Sequence, residues 1–149
     1  YIFGLYYYSE KLTARFHNRN FRYTGNINLL TAVDGRQETE SFAAFADATW
    51  KPIDSVSIIG GIRYTKDQKD LMRSTVLSNV TTSAVTSTTL FLPPTAKWDD
   101  VSFRGKLVFR PTNRTMLYAS YSKGFKGGGF NLFGSEPAFN PETLYSWEI

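Results

Sequence analysis

Cysteine is absent from the 149 residues, which excludes disulfides and thiolate metal centres. Histidine is nearly absent. His17 is the only one, and it sits in a polar stretch without clustered carboxylates, so no imidazole metal site is implied. No apolar run approaches the 18 or more residues of a membrane-spanning helix, an absence that leaves strands untouched. Charge of one sign is also scarce. The 17 Lys and Arg against 13 Asp and Glu leave a net +4 spread along the chain, too weak for a nucleic-acid-binding surface. No spacing pairs a nucleophile with a base, so neither a catalytic residue nor a cofactor is expected. Gly124-Phe125-Lys126-Gly127-Gly128-Gly129 is glycine-rich but lacks the Gly-Lys-Ser/Thr ending and the following helix pattern of a phosphate-cradling loop.

Aromatics, by contrast, are abundant: twelve Phe, nine Tyr and three Trp make up 16% of the chain. They favour strands, and in membrane barrels they gather in girdles at the two interfaces. They fall within segments that alternate. In Val101–Arg110, Val101, Phe103, Gly105, Leu107 and Phe109 oppose Ser102, Arg104, Lys106 and Arg110. Another such segment sets Val56, Ile58, Gly60, Ile62 and Tyr64 against Ser57, Ile59, Gly61, Arg63 and Thr65. About ten residues with this period is what a tilted strand needs to cross a bilayer. Strands are expected over 1–14, 38–50, 55–66, 98–110, 114–125 and 142–149, six in all.

The connections alternate too. Lys51-Pro52-Ile53-Asp54 and Pro111-Thr112-Asn113 are tight turns. Arg15–Gln37, Asp67–Lys97 and Lys126–Pro141 are long, roughly sixteen to thirty residues each. Both short turns fall at one end of the hairpins and all three long loops at the other, which is the asymmetry of transmembrane β-barrels. Of the sixteen residues Ser74–Thr89, ten are Ser or Thr, a composition that suits either a flexible loop or a polar hairpin standing above the membrane. The first loop carries Arg15, Arg19, Arg22 and Arg36 against Asp34. Such a basic outer surface would steer an anionic ligand inward, and would equally meet lipopolysaccharide phosphates. Lys123 and Lys126, near the outer interface, are candidates for anionic lipid head groups. On the polar face Arg63, Arg104, Lys106 and Arg110 are expected to balance carboxylates such as Asp47 and Glu148. Val56, Ile58, Ile62, Val101, Phe103, Leu107, Phe109, Leu117, Ala119 and Tyr121 should face lipid, and Phe125 is grouped on the same apolar face as Leu117, Ala119 and Tyr121. The chain begins and stops in strand-like sequence, Tyr1-Ile2-Phe3 and Trp147-Glu148-Ile149, which reads as a piece of a larger protein.

Two stretches carry a family resemblance. Phe42-Ala43-Ala44-Phe45-Ala46-Asp47-Ala48-Thr49-Trp50 followed by Gly60-Gly61-Ile62-Arg63-Tyr64-Thr65 is one. The other is Met116-Leu117-Tyr118-Ala119-Ser120-Tyr121-Ser122-Lys123-Gly124-Phe125-Lys126-Gly127-Gly128-Gly129-Phe130-Asn131, with Asn140-Pro141-Glu142-Thr143-Leu144-Tyr145-Ser146-Trp147-Glu148-Ile149 after it. Together they resemble the barrel signature of TonB-dependent outer-membrane receptors. That resemblance implies an all-β, antiparallel transmembrane β-barrel, with residues 1–149 as part of the barrel domain: a partial wall of about six strands from a 22-stranded barrel. Family members hold a plug domain inside the barrel and import scarce ligands, often ferric siderophores, with energy from the TonB complex. Neither a plug nor a TonB box stands in this sequence. The implied location is the bacterial outer membrane, and the implied partners are membrane lipids, lipopolysaccharide, TonB through the plug, and a small-molecule ligand at the outer loops. In that setting the Asn79-Val80-Thr81 and Asn113-Arg114-Thr115 glycosylation patterns are coincidental. The residues that contact ligand are not assigned.

Other classes fit less well. A small structural or adhesin-type outer-membrane barrel suits the length but needs about eight closed strands. A soluble lipocalin-like barrel would turn its apolar face inward and gives no reason for long loops at one end only. In either membrane reading Gly124–Gly129 is expected to let the chain leave the wall sharply through left-handed backbone.

Overall fold

The computed structural model describes residues 1–22, 27–134 and 136–149, without the side chains of 20–22 and 27. Among these there are seven strands and no helix: β1 (Ile2–Arg22), β2 (Ile27–Ile53), β3 (Val56–Asn79), β4 (Val85–Phe91), β5 (Ala96–Thr112), β6 (Thr115–Lys126) and β7 (Glu142–Glu148). Every pairing is antiparallel, in the order β1-β2-β3-β5-β6-β7, with β4 beside the upper half of β3. The sheet does not close; β1 and β7 are its edges.

Four of the six expected crossing segments are longer than the alternation suggested, and the seventh strand lies inside the expected insertion at Asp67–Lys97. The stretch Arg15–Gln37, read from sequence as a loop, is ladder. Arg15 pairs with Asp34, and the pairing runs on to Arg22 opposite Ile27; Gly25 and Asn26 lie outside the described residues. At Ser74–Thr89 the choice between loop and hairpin falls to hairpin, with Ser74 opposite Leu90 and Leu77 opposite Ser87. Its tip is held by Asn79, whose Oδ1 accepts from Thr81 N at 2.9 Å and Thr82 N at 3.2 Å, while Ser83 takes φ 56°. That Asx turn uses the amide that the glycosylation pattern would modify. Pro93-Pro94 then breaks the descending strand, because proline offers no N–H to a ladder. Above that break β4 pairs with β3, and below it β5 does so from Ala96 to Phe109.

Both tight turns, at Asp54-Ser55 and Asn113-Arg114, lie at the same end of the sheet. The opposite end is very long. At about 3.3 Å per residue, the 27 residues of β2 exceed what a bilayer of about 30 Å requires even at a 45° tilt. The excess stands above the apolar band.

Register sorts the side chains onto two faces. Val56 lies opposite Phe109, Ile58 opposite Leu107, Ile62 opposite Phe103 and Tyr64 opposite Val101. Leu107 continues to Ala119, Phe109 to Leu117 and Gly105 to Tyr121. The expected lipid-facing set therefore shares one face, joined by Phe3, Leu5 and Tyr7 of β1 and Phe42, Ala44 and Ala46 of β2. Large apolar groups on it are open, Ile62 at 55% and Leu117 at 58%. So extended an exposed apolar patch belongs against lipid. The buried strand side chains, Val33, Thr39, Ala43, Ser57, Thr65, Leu71, Arg73 and Val108, all lie on the other face. A single-layer sheet occludes only the face toward which it curls, so the polar face is concave.

One expected orientation fails. Phe125 lines a depression with Tyr6, Tyr8, Arg63 and Thr65 on the concave side, not the lipid face. The β5–β6 ladder stops at Phe103 opposite Lys123, and beyond it β6 is held by β7 alone. Freed from β5, the end of β6 turns over the lumen.

Candidate functional site: the concave face and its roof

Within the apolar band the concave face is built from cations and aromatics. Arg104 donates from Nε at 2.9 Å and Nη2 at 2.7 Å to Asp47 Oδ1. Gly61, opposite Arg104 in the ladder, leaves that space open, since a Cβ there would collide with Asp47 Oδ1 and stand 3.1 Å from Arg104 Nε. Arg63 donates to Thr65 Oγ1 at 3.0 Å and lies 5.0 Å above the Tyr6 ring. Lys106 sits 4.1 Å over Tyr118, and Arg110 meets Met116 sulfur at 3.4 Å. Glu148 accepts from Ser120 at 3.5 Å. Among the described residues the expected carboxylate partners are thus found for Arg104 alone; Arg63 and Lys106 are stabilised by aromatic faces. Asp47, Arg63, Ser102, Arg104, Ser122 and Lys123 border an open depression of about 410 Å³. It is open to one side, unlike the enclosed pockets that hold small molecules.

Lys123 is not available to lipid head groups. Its ammonium pairs with Asp100, which also accepts from Ser102 at 3.2 Å, and donates to the Val101 carbonyl at 3.1 Å. Lys126 does remain open, loosely paired with Glu142 at 3.4 Å. The lipid-side surface above the apolar band mixes both signs, with Arg15 on Asp34 at 2.9 Å and Glu38 between Arg36 at 2.7 Å and Lys11 at 3.5 Å. The hydrogen bond from Arg36, then the charge of Lys11, hold the Glu38 carboxyl below its ordinary range.

Above the band, residues 127–134 and 136–141 fold back over the concave side of the outer hairpins as a roof. Phe130 is buried, Phe133 packs 5.5 Å from Phe16 of β1, and Gly129 bridges Phe139. The glycines serve close approach and not left-handed backbone, for none of the described glycines has a φ in the left-handed range. A Cβ on Gly128 would stand 2.6 Å from the Trp98 ring and collide with the Phe139 carbonyl; one on Gly127 would collide with Asp67. Sequence reasoning missed this roof because its partners, Phe16, Trp98 and Asp67, are far away in the chain. The only local signal was the glycine run itself. His17 is exposed, and no cluster of three metal-ligating side chains occurs among the described residues.

A lipid-facing apolar wall, a charged lumen and hairpins rising on one side describe a portion of a large outer-membrane barrel. A family model described as TonB dependent receptor-like, beta-barrel, matches residues 1–149, and the chain belongs to that family, whose members are outer-membrane transport receptors. No solved structure matches the chain.

Proposed function

We propose that this chain is barrel wall and outer hairpin of a bacterial importer that takes up a scarce ligand, an anionic chelate of the ferric siderophore kind. The barrel domain would include all of 1–149, with a plug domain supplied from elsewhere in the receptor and the TonB complex engaged through it. Membrane lipid would cover the apolar face, and lipopolysaccharide would meet the rim at Lys11, Arg15 and Arg36. What carries this reading is the concave face. It presents Arg63 and Lys106 without carboxylate partners among the described residues, beneath hairpins that extend well beyond the apolar band. A purely structural barrel has no use for either feature.

The test is made in the complete receptor. Excising Thr75–Thr89 and joining Ser74 to Leu90, ladder neighbours, through Asn-Gly restores a two-residue hairpin turn. TonB-dependent uptake of a ferric siderophore panel should fall, while heat-modifiable gel mobility, which reports the folded barrel, stays unchanged. A complete receptor that imports none of the panel when TonB is present would instead support the structural or adhesin-type alternative.

A further inference from the structure

Under the roof lies a positive charge with no counter-charge among the described residues. Arg73 of β3 stands in register between Gly35 of β2 and Phe91 of β4. Only 7% of it is exposed, and its Nε and Nη1 are buried without a hydrogen-bond partner among the described residues. Phe91 covers the guanidinium, its ring centre 4.8 Å from Cζ. On the other flank Gly35 has no side chain, and the Leu132 carbonyl of the roof comes within 3.1 Å of where a Cβ would be.

A buried lysine or acid escapes such a position by titrating, whereas a guanidinium stays protonated. Buried charge is kept only when it is paired. Nearby acids are engaged elsewhere. Asp34 pairs with Arg15, and Asp70 accepts from Thr95 and Gln68; both alternate to the opposite face from Arg73. Asp67 shares the face but lies beneath Gly127. The residues outside the description contain no acid.

We infer that Arg73 is the anchor of an anion site, in which a carboxylate or phosphate oxygen of a small ligand meets Nε or Nη1 against the Phe91 wall. The ligand enters from the outer side as the roof moves off Gly35. This refines the importer reading and rests on it for the direction of entry.

The purified complete receptor is titrated calorimetrically with citrate and, separately, with inorganic phosphate, at constant ionic strength against chloride. At least one probe should bind saturably, and Arg73→Gln should weaken it about tenfold or more, the loss of a charged hydrogen bond. Arg73→Lys, a point charge in place of a fork, should weaken it less, and Arg114→Gln, in the tight turn at the opposite end of the sheet, should not change it. Heat-modifiable mobility checks folding. Should Arg73→Gln fail to fold, Arg73→Lys decides, and unchanged affinity there overturns the proposal. So does a wild-type receptor that binds neither probe, including the case where Arg73→Gln merely melts lower, since an acid from another part of the receptor would then already hold the guanidinium. The titration involves neither TonB nor uptake, so its failure leaves the importer reading standing.

Discussion

Phe103 and Arg104 are adjacent in the chain and face opposite environments, one opposite Ile62 on the lipid side, the other bound to Asp47 in the lumen. The difference sets the cost of a substitution. Phe103→Arg or Leu107→Arg places a guanidinium in hydrocarbon at about 2–4 kcal/mol near the midplane, and the expected result is less heat-modifiable barrel in outer-membrane fractions. Ser102→Arg, one residue from Phe103 and on the concave face, should leave that band intact. At Gly128 the constraint is steric. Gly128→Ala must push Trp98 or the Phe139 segment away, so tryptophan emission should shift toward that of a more exposed indole without loss of folded barrel. At Glu38 it is electrostatic. A carboxyl held low by Arg36 and Lys11 contributes attraction above its unfolded pKa and loses it as pH falls through the lower folded value. Exposure and salt screening keep that contribution small. A carboxyl titration by NMR should therefore place Glu38 below the ordinary glutamate range in wild type, and back within it in a Lys11→Gln, Arg36→Gln variant.

At the scale of elements, strands continue where alternation stops. Ladder hydrogen bonds join backbone to backbone and are indifferent to side-chain polarity, so β1, β2 and β3 extend through Asn-, Ser- and Thr-rich sequence once water bathes both faces. The roof depends on a few contacts, chiefly Phe133 on Phe16 and the Gly128 approach to Trp98. An aromatic pair of that kind is worth about 0.5–1.5 kcal/mol beyond its area. Phe16→Ala should accordingly loosen the roof and spare the wall. Hydrogen exchange in the complete receptor should show faster exchange across 127–139 and unchanged protection across 101–109. Equal acceleration in both would mean that the roof and the wall open as one unit.

For the whole molecule the unpaired edges dominate. β1 and β7 each present a row of N–H and C=O groups without partners, which a bilayer does not tolerate, so closure must come from further strands of the receptor. The chain refolded alone in detergent should give no heat-modifiable species and should associate through its edges. A discrete, heat-modifiable monomer would show that these strands close on themselves and would remove the large-barrel assignment.

Which side of β3, of β5 and of β6 as far as Tyr121 meets lipid was decided by sequence alone, because the period of two and the cost of burying Arg104 or Lys106 in hydrocarbon leave one register. The two tight turns were legible for a similar reason: Pro52-Ile53-Asp54 and Pro111-Thr112-Asn113 carry their own turn chemistry. Residues 15–37 and 67–97 were not, since in water a ladder and a loop are served by the same polar residues, and pairing Arg15 with Asp34 or Ser74 with Leu90 is a choice between distant segments. Tertiary structure alone decided the inward turn of Phe125, the capture of Lys123 by Asp100, the roof on Phe16 and Trp98, and the isolation of Arg73. Each depends on where β6 parts from β5 and what then folds over the lumen, a long-range balance of packing with no period in the chain to announce it.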